Sequence, residues 1–222
     1  MKLSVIITAG GIGKRFSSNV PKQFLSLEKL PILMHTIKRF RDWNSDLEII
    51  LTLPKEWRGY WSELVLKHDF TILHQIVDGG KERFHSIKNA LNVCSGTHVM
   101  IHDGVRPLVG PETLSRSLEA LKTYDAVVPY LNVKDSIRVI NKDTSSSVDR
   151  KHYVTVQTPQ CFSLDVVKNA YLGEYQESFT DDASVVEGSG VDIHLIIGNE
   201  ENIKITTQKD LIMAIAILKN IK

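Results

Sequence analysis

The chain has 222 residues, a formal net charge of +1, 42% hydrophobic residues and 24% charged residues. This composition is typical of a soluble globular protein, and the near-neutral charge gives no reason to expect binding to nucleic acid or to a membrane surface. The two cysteines, Cys94 and Cys161, form no disulfide framework or metal motif, and no apolar stretch reaches membrane-spanning length. We therefore expect a cytoplasmic protein without a signal peptide.

Short β-rich runs alternate with helical patterns along much of the chain. The first strand is predicted over 3–9 and the first helix over 31–43, where Pro31 suits a first helical turn. Strands and helices then alternate in chain order at 47–54, 57–68, 70–77, 81–94, 98–103, 111–124 and 126–131. This alternation predicts an α/β fold, with a mostly parallel, Rossmann-like sheet and helices on both of its faces.

The alternation breaks between residues 132 and 158. Two alternating β segments, "VKDSIRVI" and "HYVTVQT", flank the polar run "NKDTSSSVD" and predict a hairpin. Because its own sequence offers no core, we expect a protruding β-arm whose partner is a second subunit; a hairpin folded back on the parent sheet is the alternative. A helix at 164–175, a strand near 192–197 and a helix at 207–220 complete a single predicted domain, 1–222.

A glycine-rich loop follows the first strand in the stretch "AGGIGKRFSSNVPKQF", residues 9–24. Glycines let the backbone approach a ligand closely, and exposed N–H groups in such a loop attract anions. Lys14, Arg15 and Lys22 add three cations, which indicates a ligand with several negative charges, such as a triphosphate. An ordinary turn with solvated surface cations is the alternative. Ligands of open α/β sheets bind at the carboxyl ends of strands, where this loop lies.

Two common phosphate-binding motifs do not fit this loop. A P-loop requires a glycine where Thr8 stands and a serine or threonine where Arg15 stands. A dinucleotide fingerprint requires a third glycine at the position of Phe16. The loop is therefore of another kind, and a dinucleotide-dependent oxidoreductase is disfavoured.

Two further segments with candidate residues, "DGGKERFHS" and "HDGVRP", follow predicted strands, so we expect them to converge on the same sheet edge. In "HDGVRP", Asp103 suits Mg²⁺ or a sugar hydroxyl, with a turn cap as the alternative; in "TDD", a helix cap alone would explain Thr180. "KDS" and "VDR" lie at the two ends of the arm, and "NIKIT" places Lys204 in a short β-like run over 202–206. Together these segments supply the candidates Gly79, Gly80, Arg83, Ser86, Asp103, Arg106, Ser136, Arg150, Thr180 and Lys204.

Cationic residues outnumber plausible general bases in these segments. No Ser-His-Asp or Cys-His arrangement stands out, and the eight histidines are scattered without metal-ligand spacing. That balance is typical of phosphoryl or nucleotidyl transfer, in which positioning and charge stabilisation supply most of the catalysis.

Eight motifs of this chain resemble, in order and approximate spacing, those of the 2-C-methyl-D-erythritol 4-phosphate cytidylyltransferases of non-mevalonate isoprenoid biosynthesis. They are "AGGIGKRF…PKQF", "DGGKER…S", "HDGVRP", "VKDSI", "SVDR", "QTPQ", "TDDAS" and "NIKIT". Each motif is weak by itself, but eight in order over nearly the whole chain are specific. The resemblance implies that CTP and 2-C-methyl-D-erythritol 4-phosphate react to give 4-diphosphocytidyl-2-C-methyl-D-erythritol and pyrophosphate, with Mg²⁺ as cofactor and a homodimer built through the arm.

The resemblance also implies a role for each matched residue. The catalytic charges would be Arg15, Lys22, Arg150 and Lys204, with Arg150 reaching into the partner's site. The nucleotide would be held by Ala9, Gly10, Gly11, Gly13, Gly79, Gly80, Arg83 and Ser86. The polyol phosphate would be held by Asp103, Arg106, Ser136 and Thr180, and Asp103 is the candidate metal ligand unless phosphates alone coordinate the metal. No general base is required, because the substrate's own phosphate is the nucleophile.

Two positions depart from the usual pattern of that family. Ser136 stands where the family often has threonine, which keeps the hydroxyl. The loop "AGGIG" stands where many members have "AAGxG", and it is typical of the sister ribitol 5-phosphate cytidylyltransferases, whereas "SVDR" and "TDDAS" favour methylerythritol. The ribitol phosphate enzyme and a non-catalytic nucleotide-binding protein of the same fold are therefore the alternatives.

Overall fold

Buried aliphatic runs form the strands at the centre of the fold. The structure, a computed structural model, describes residues 1–10 and 20–220. The strands are β1 (Leu3–Thr8), β2 (Ser26–Leu27), β3 (Leu30–Pro31), β4 (Glu48–Leu53), β5 (Gln75–Asp78), β6 (His98–Asp103), β7 (Ala126–Asn132), β8 (Ile137–Asn141), β9 (Thr144–Val148), β10 (Val154–Val156), β11 (Gln160–Ser163) and β12 (His194–Ile197). The α-helices are α1 (Ile32–Trp43), α2 (Arg58–Lys67), α3 (Arg83–Leu91), α4 (Pro111–Ala120), α5 (Leu164–Ala170), α6 (Asp182–Glu187) and α7 (Gln208–Asn220).

The central sheet is mixed but mostly parallel. Strands β5, β4, β1 and β6 run side by side in parallel, and β11 pairs antiparallel with β6. Beyond β11 lies β7, which pairs antiparallel with β11 and β10 along one edge and parallel with β12 along the other. The parallel arrangement of β1, β4, β5 and β6 places their carboxyl ends at one edge of the sheet, which is where the candidate residues were expected to meet.

Helices cover both faces of this sheet, because successive side chains of a strand point to opposite faces. Val5 and Ile7 of β1 belong to a core that includes Phe40 of α1, whereas Ile6 belongs to a second core with Ile87 of α3. All five side chains are completely buried. The predicted α/β fold with helices on both faces is confirmed.

Several predicted elements differ from the structure in their bounds. The strand predicted over 70–77 begins only at Gln75 in the structure, as β5. Phe70 and His74 lie before it in irregular backbone, where both contact the ring of Trp61. The helix predicted over 164–175 ends at Ala170, and the β-like run 202–206 is not a strand. The antiparallel strand β11 was not predicted at all.

The β-arm is built differently from the predicted hairpin. Its turn lies at Lys142–Asp143, and the serine-rich run that was predicted as the turn supplies β9, which pairs with β8 as a separate two-stranded sheet. The second predicted segment forms β10 instead, which joins the parent sheet beside β7. The alternative of folding back therefore holds for β10, while β8 and β9 stand apart with mostly exposed side chains. The partner subunit and the single domain over 1–222 stay predictions.

None of the helices among residues 1–10 and 20–220 combines the length and the hydrophobicity needed to cross a lipid bilayer.

Candidate functional site

A cavity of about 440 Å³ opens at the carboxyl ends of β1, β4, β5 and β6. We call it the strand-end cavity. The predicted site residues that line it are Ala9, Gly10, Lys22, Gly79, Gly80, Arg83, Ser86, Asp103 and Lys204. Its other lining residues, which the sequence did not single out, are Thr8, Gln23, Pro54, Lys81, Glu82 and Val105. The sheet topology thus brings together segments that are nearly 200 residues apart in the chain, as Thr8 and Lys204 illustrate.

The segment after β5 shapes one wall of the cavity. Gly79 donates its N–H to the carbonyl of Leu53 at 2.9 Å, and Gly80 donates its N–H to the Ser86 hydroxyl oxygen, also at 2.9 Å. A Cβ on Gly80 would lie 2.3 Å from the Cβ of His85, so a larger residue does not fit without displacing the start of α3. Only glycine allows this close passage, which places the first turn of α3 against the cavity.

Lys22 is held beside the start of the glycine loop by its two neighbours. The buried Gln23 donates its Nε2–H to the carbonyl of Ala9 at 2.6 Å, and Phe24 is buried in a core that contains Trp61. These contacts fix the short 3-10 turn Lys22–Phe24 against the end of β1. Three predicted site residues, Gly11, Gly13 and Arg15, lie outside the described residues.

Asp103 forms the centre of a group of positive charges. Its carboxylate lies 3.0 Å from Nζ of Lys204, 3.2 Å from Nε of Arg106 and 3.9 Å from Nη2 of Arg83. Burial alone would raise the pKa of Asp103, but the charges of Arg83, Lys204 and Arg106 outweigh it and hold the pKa well below its usual range. Asp103 is therefore ionised, and it orients cations that can also face an anionic ligand.

A chain of hydrogen bonds through His102 and Thr158 fixes the backbone of Asp103. The carbonyl of Arg106 can only accept, so Nε2 of His102 carries the proton and donates to it across 2.9 Å. Nδ1 of the neutral ring then accepts from the Thr158 hydroxyl at 3.1 Å, and that hydroxyl oxygen accepts from the Asp103 N–H at 3.1 Å. His102 is thus a structural residue in its neutral form, which agrees with the absence of metal-ligand spacing around it.

The stability of the protein should fall as this histidine is forced to take up a proton. Complete burial lowers the pKa of His102 from 6.5 to about 4, although its hydrogen bond to Arg106 favours the charged form. Between those two values the unfolded chain binds a proton that the folded chain does not, so stability falls as the pH falls from 6.5. At about 1.4 kcal/mol per pKa unit, we expect wild type to lose about 3 kcal/mol more than His102→Gln between pH 7 and pH 4.

Urea unfolding of both proteins at several pH values measures this difference. Parallel stability curves for wild type and His102→Gln would contradict the assignment of a neutral, buried His102.

The remaining predicted residues do not line the strand-end cavity of their own chain. Arg106 lies behind Asp103 and donates from Nη1 to the carbonyl of Asn202 at 2.8 Å. Ser136 and Arg150 are exposed on the arm, where Arg150 donates to the carbonyl of Lys134. Thr180 lines a second, smaller cavity of about 180 Å³, which we call the aromatic cavity after its phenylalanine and tyrosine side chains.

The sequence prediction of a helix cap in "TDD" was correct in kind but displaced by one residue. Asp181, not Thr180, caps α6, because its carboxylate accepts from the Ser184 N–H at 2.9 Å. The second aspartate, Asp182, was not singled out as a site residue, yet it forms an ion pair with Arg83. The pair joins residues 99 positions apart, so no local pattern reveals it. The one available signal was that a helix needs one capping aspartate, whereas "TDD" contains two.

The described residues do not form a metal site made by the protein alone. Among residues 1–10 and 20–220, no group of three His, Cys, Asp or Glu side chains is arranged to hold a metal ion. The Asp103 carboxylate is already surrounded by three cationic side chains. A divalent cation in this cavity would therefore need most of its oxygen ligands from the ligand it accompanies.

The chemistry of the strand-end cavity is that of an anion site. Lys22, Lys81, Arg83 and Lys204 line it, together with a glycine-rich backbone, and all eight histidines lie elsewhere in the described part of the chain. Such a site can bind a polyphosphate and stabilise charge that develops on phosphorus, but it offers no histidine as a general base.

Comparison with known proteins gives a consistent result over nearly the whole chain. A family model described as 2-C-methyl-D-erythritol 4-phosphate cytidylyltransferase matches residues 3–220. A protein of that name from Bacteroides thetaiotaomicron is 46% identical over 219 residues, which cover 98% of this chain and 100% of the relative.

Solved structures agree with this match. The crystal structure of 4-diphosphocytidyl-2C-methyl-D-erythritol synthase from Anaerococcus prevotii has a TM-score of 0.82 at 27% identity, covering 98% of this chain and 96% of that one. The crystal structure of 2-C-methyl-D-erythritol 4-phosphate cytidylyltransferase from Thermus thermophilus has a TM-score of 0.80 at 27% identity, covering 99% of this chain and 100% of that one.

Proposed function

Since the chain belongs to the 2-C-methyl-D-erythritol 4-phosphate cytidylyltransferase family, we propose that it transfers the cytidylyl group of CTP to 2-C-methyl-D-erythritol 4-phosphate. The products are 4-diphosphocytidyl-2-C-methyl-D-erythritol and pyrophosphate, and the reaction is a step of non-mevalonate isoprenoid biosynthesis. The chain is thus a nucleotidyltransferase enzyme.

The observation that supports this function best is the cation-lined cavity itself. Its volume of about 440 Å³ is within the usual range for small-molecule sites. Glycine backbone, Lys22 and Arg83 lie on its walls, and Asp103 holds Lys204 at the same edge. A triphosphate needs such a combination of close backbone approach and several positive charges.

The reaction needs charge stabilisation more than proton transfer. The phosphate of the acceptor is anionic at neutral pH, and its oxygen attacks the α-phosphorus of CTP. A new P–O bond forms, the bond between the α-phosphorus and the oxygen bridging to the β-phosphate breaks, and pyrophosphate leaves with that electron pair. Lys22 and Arg15 stabilise the negative charge that builds up on the α-phosphate oxygens.

The remaining predicted residues divide between the two substrates. Ala9, Gly10, Gly11, Gly13, Gly79, Gly80, Arg83 and Ser86 hold the nucleotide. Asp103, Arg106 and Ser136 contact the erythritol part of the acceptor. The phosphate of the acceptor is held by Thr180 and Lys204 of the same chain, together with Arg150 of the partner subunit. Support for the contribution from a partner comes from the arm, where Arg150 is exposed and lies away from the cavity of its own chain.

Mg²⁺ is the proposed cofactor. The oxygens of CTP would supply most of its ligands, because the described residues lack a cluster of carboxylates for it and Asp103 would add one at most. Its charge would offset that of the phosphates when bound, while the cationic side chains of the cavity orient them.

We place the protein in the cytoplasm as a homodimer that binds neither nucleic acid nor a membrane. Both cysteines are buried and unpaired, which suits a reducing compartment. The net charge of +1 supports the absence of a polyanionic partner larger than a nucleotide.

Pyrophosphate release tests the function directly. Purified protein is incubated with CTP and Mg²⁺, and either 2-C-methyl-D-erythritol 4-phosphate or ribitol 5-phosphate is offered as the acceptor. Release with the methylerythritol substrate alone is the expected result, since relatives at 46% identity carry that name. Release with ribitol 5-phosphate alone would show that the loop "AGGIG" marks the acceptor, and release with neither from protein that binds CTP would point to a non-catalytic nucleotide-binding protein.

A further inference from the structure

Arg83 is clamped from behind by a buried carboxylate. Its Nη1 and Nη2 atoms donate to the two carboxylate oxygens of Asp182 at 2.5 and 2.6 Å, a bidentate pair. Asp182 is completely buried and lines neither the strand-end cavity nor the aromatic cavity, whereas Arg83 lines both. A ligand in either cavity can therefore reach Arg83 but not Asp182.

A third residue completes the clamp. The hydroxyl of the buried Tyr171 donates to Asp182 Oδ1 at 2.6 Å, and the Tyr171 ring is stacked on Phe84 with centroids 4.7 Å apart. Burial, together with the Asp182 carboxylate, raises the pKa of Tyr171, so its hydroxyl keeps the proton that it donates. The Asp182 carboxylate thus accepts hydrogen bonds from both Arg83 and Tyr171.

The element that carries Asp182 is itself fixed to the sheet. Gln160 of β11 donates from Nε2 to Asp181 Oδ2 at 2.7 Å, and its Oε1 accepts the Ala183 N–H at 2.8 Å. These two bonds hold the first turn of α6 against the strand next to β6. The position of the Arg83 guanidinium is therefore set by the central sheet.

Stability alone does not explain this arrangement. A buried ion pair must overcome a desolvation penalty, and an apolar pair of similar volume is often as stable or more stable. A second carboxylate, Asp103, also attracts Arg83 and lies 3.9 Å from its Nη2. Without Asp182, the guanidinium would be drawn toward Asp103, which lines the same cavity.

We propose that Asp182, supported by Tyr171, is a positioning residue that holds Arg83 at the wall of the strand-end cavity for contact with the nucleotide. The bidentate pair uses two of the five N–H groups of Arg83, so three stay available for phosphate, ribose or base. The proposal rests on the proposed function in one respect, which is that CTP binds in this cavity.

Calorimetric titration of CTP into the full-length protein with Mg²⁺ tests the proposal through a double-mutant cycle. We expect Asp182→Asn to raise the Kd for CTP about tenfold, in line with the coupling energies of directly contacting charged residues. In an Arg83→Met background the same change should have no further effect, because Asp182 acts only through Arg83. The KM for the acceptor should change less than the Kd for CTP.

A second variant keeps the test valid where Asp182→Asn does not fold. Tyr171→Phe keeps both the ring stack and the Arg83–Asp182 pair, and we expect about a threefold weaker binding of CTP. Tyr175→Phe is the matched control, because Tyr175 belongs to the same aromatic group and its contacts there are with the rings of Phe84 and His85. Asp165→Asn is the control for loss of a carboxylate in the first turn of a neighbouring helix.

Unchanged affinity in Asp182→Asn, or an equal loss in both backgrounds, would overturn the proposal. Wild type that does not bind CTP would overturn it as well. Wild type that binds CTP but releases no pyrophosphate with either acceptor would contradict the proposed function and leave this cycle of binding measurements intact.

Discussion

Replacing Lys22 by alanine should lower kcat by about 10²–10³-fold, because removing one charge that contacts a transition state costs a few kcal/mol. Lys22 lines the strand-end cavity beside Ala9, where the nucleotide phosphates are proposed to lie. The charge it would offset is larger in the transition state than in bound CTP, so the loss falls on kcat more than on the KM for CTP. We expect the same behaviour for Arg15→Ala.

Steady-state kinetics and thermal unfolding of the same preparations measure this effect. Lys29→Ala is the matched control, since Lys29 is an exposed lysine on the same segment and does not line the cavity. Its activity and melting temperature should equal those of wild type. Wild-type turnover in Lys22→Ala would rule out the assigned role, and a lowered melting temperature would assign the loss to folding.

Mixed dimers of two inactive variants should regain activity if Arg150 acts in the partner's site. Arg150→Ala and Lys22→Ala subunits are each expected to be nearly inactive alone. In a dimer that contains one of each, the site with an intact Lys22 receives an intact Arg150 from the partner subunit. Random mixing gives half hybrid dimers with one good site each, so about one quarter of wild-type activity should return.

The control for this experiment is a subunit that carries both substitutions. Mixing Arg150→Ala with the double variant Lys22→Ala/Arg150→Ala provides no intact Arg150, and no activity should return. If verified hybrids of the two single variants also stay inactive, Arg150 would have to act within its own chain.

The sequence predicted best those parts of the site that depend on the order of strands. The strand 98–103 was predicted with its observed bounds, because its apolar centre, 99–101, lies between turn signals and the strand is buried on both faces. Once the strands are parallel, the residues that follow them must share one edge. Gly79, Gly80, Arg83 and Asp103 were found in this way, and all four line the cavity.

The contacts that hold those residues in place could not be predicted. His102 contacts Thr158, 56 residues away, and Arg83 contacts Asp182, 99 residues away, and neither pairing leaves a local pattern. The arm was misjudged for a different reason. Its β9 strand is mostly serine and threonine, and an exposed two-stranded sheet needs no apolar alternation, so the pattern resembled a turn.

The insertion of β11 between β6 and β7 bears on how the chain folds during synthesis. Residues 3–103 supply four adjacent parallel strands, which can assemble as soon as they leave the ribosome. The next strand, β7, has no place beside them until residues 160–163 emerge to separate it from β6. The pairings of β11 with β6 and β7 therefore form late, after the whole arm has been translated, and they join residues far apart in the chain. The growing polypeptide therefore leaves the edge of β6 unpaired throughout that interval, and an unpaired strand edge can pair with another chain.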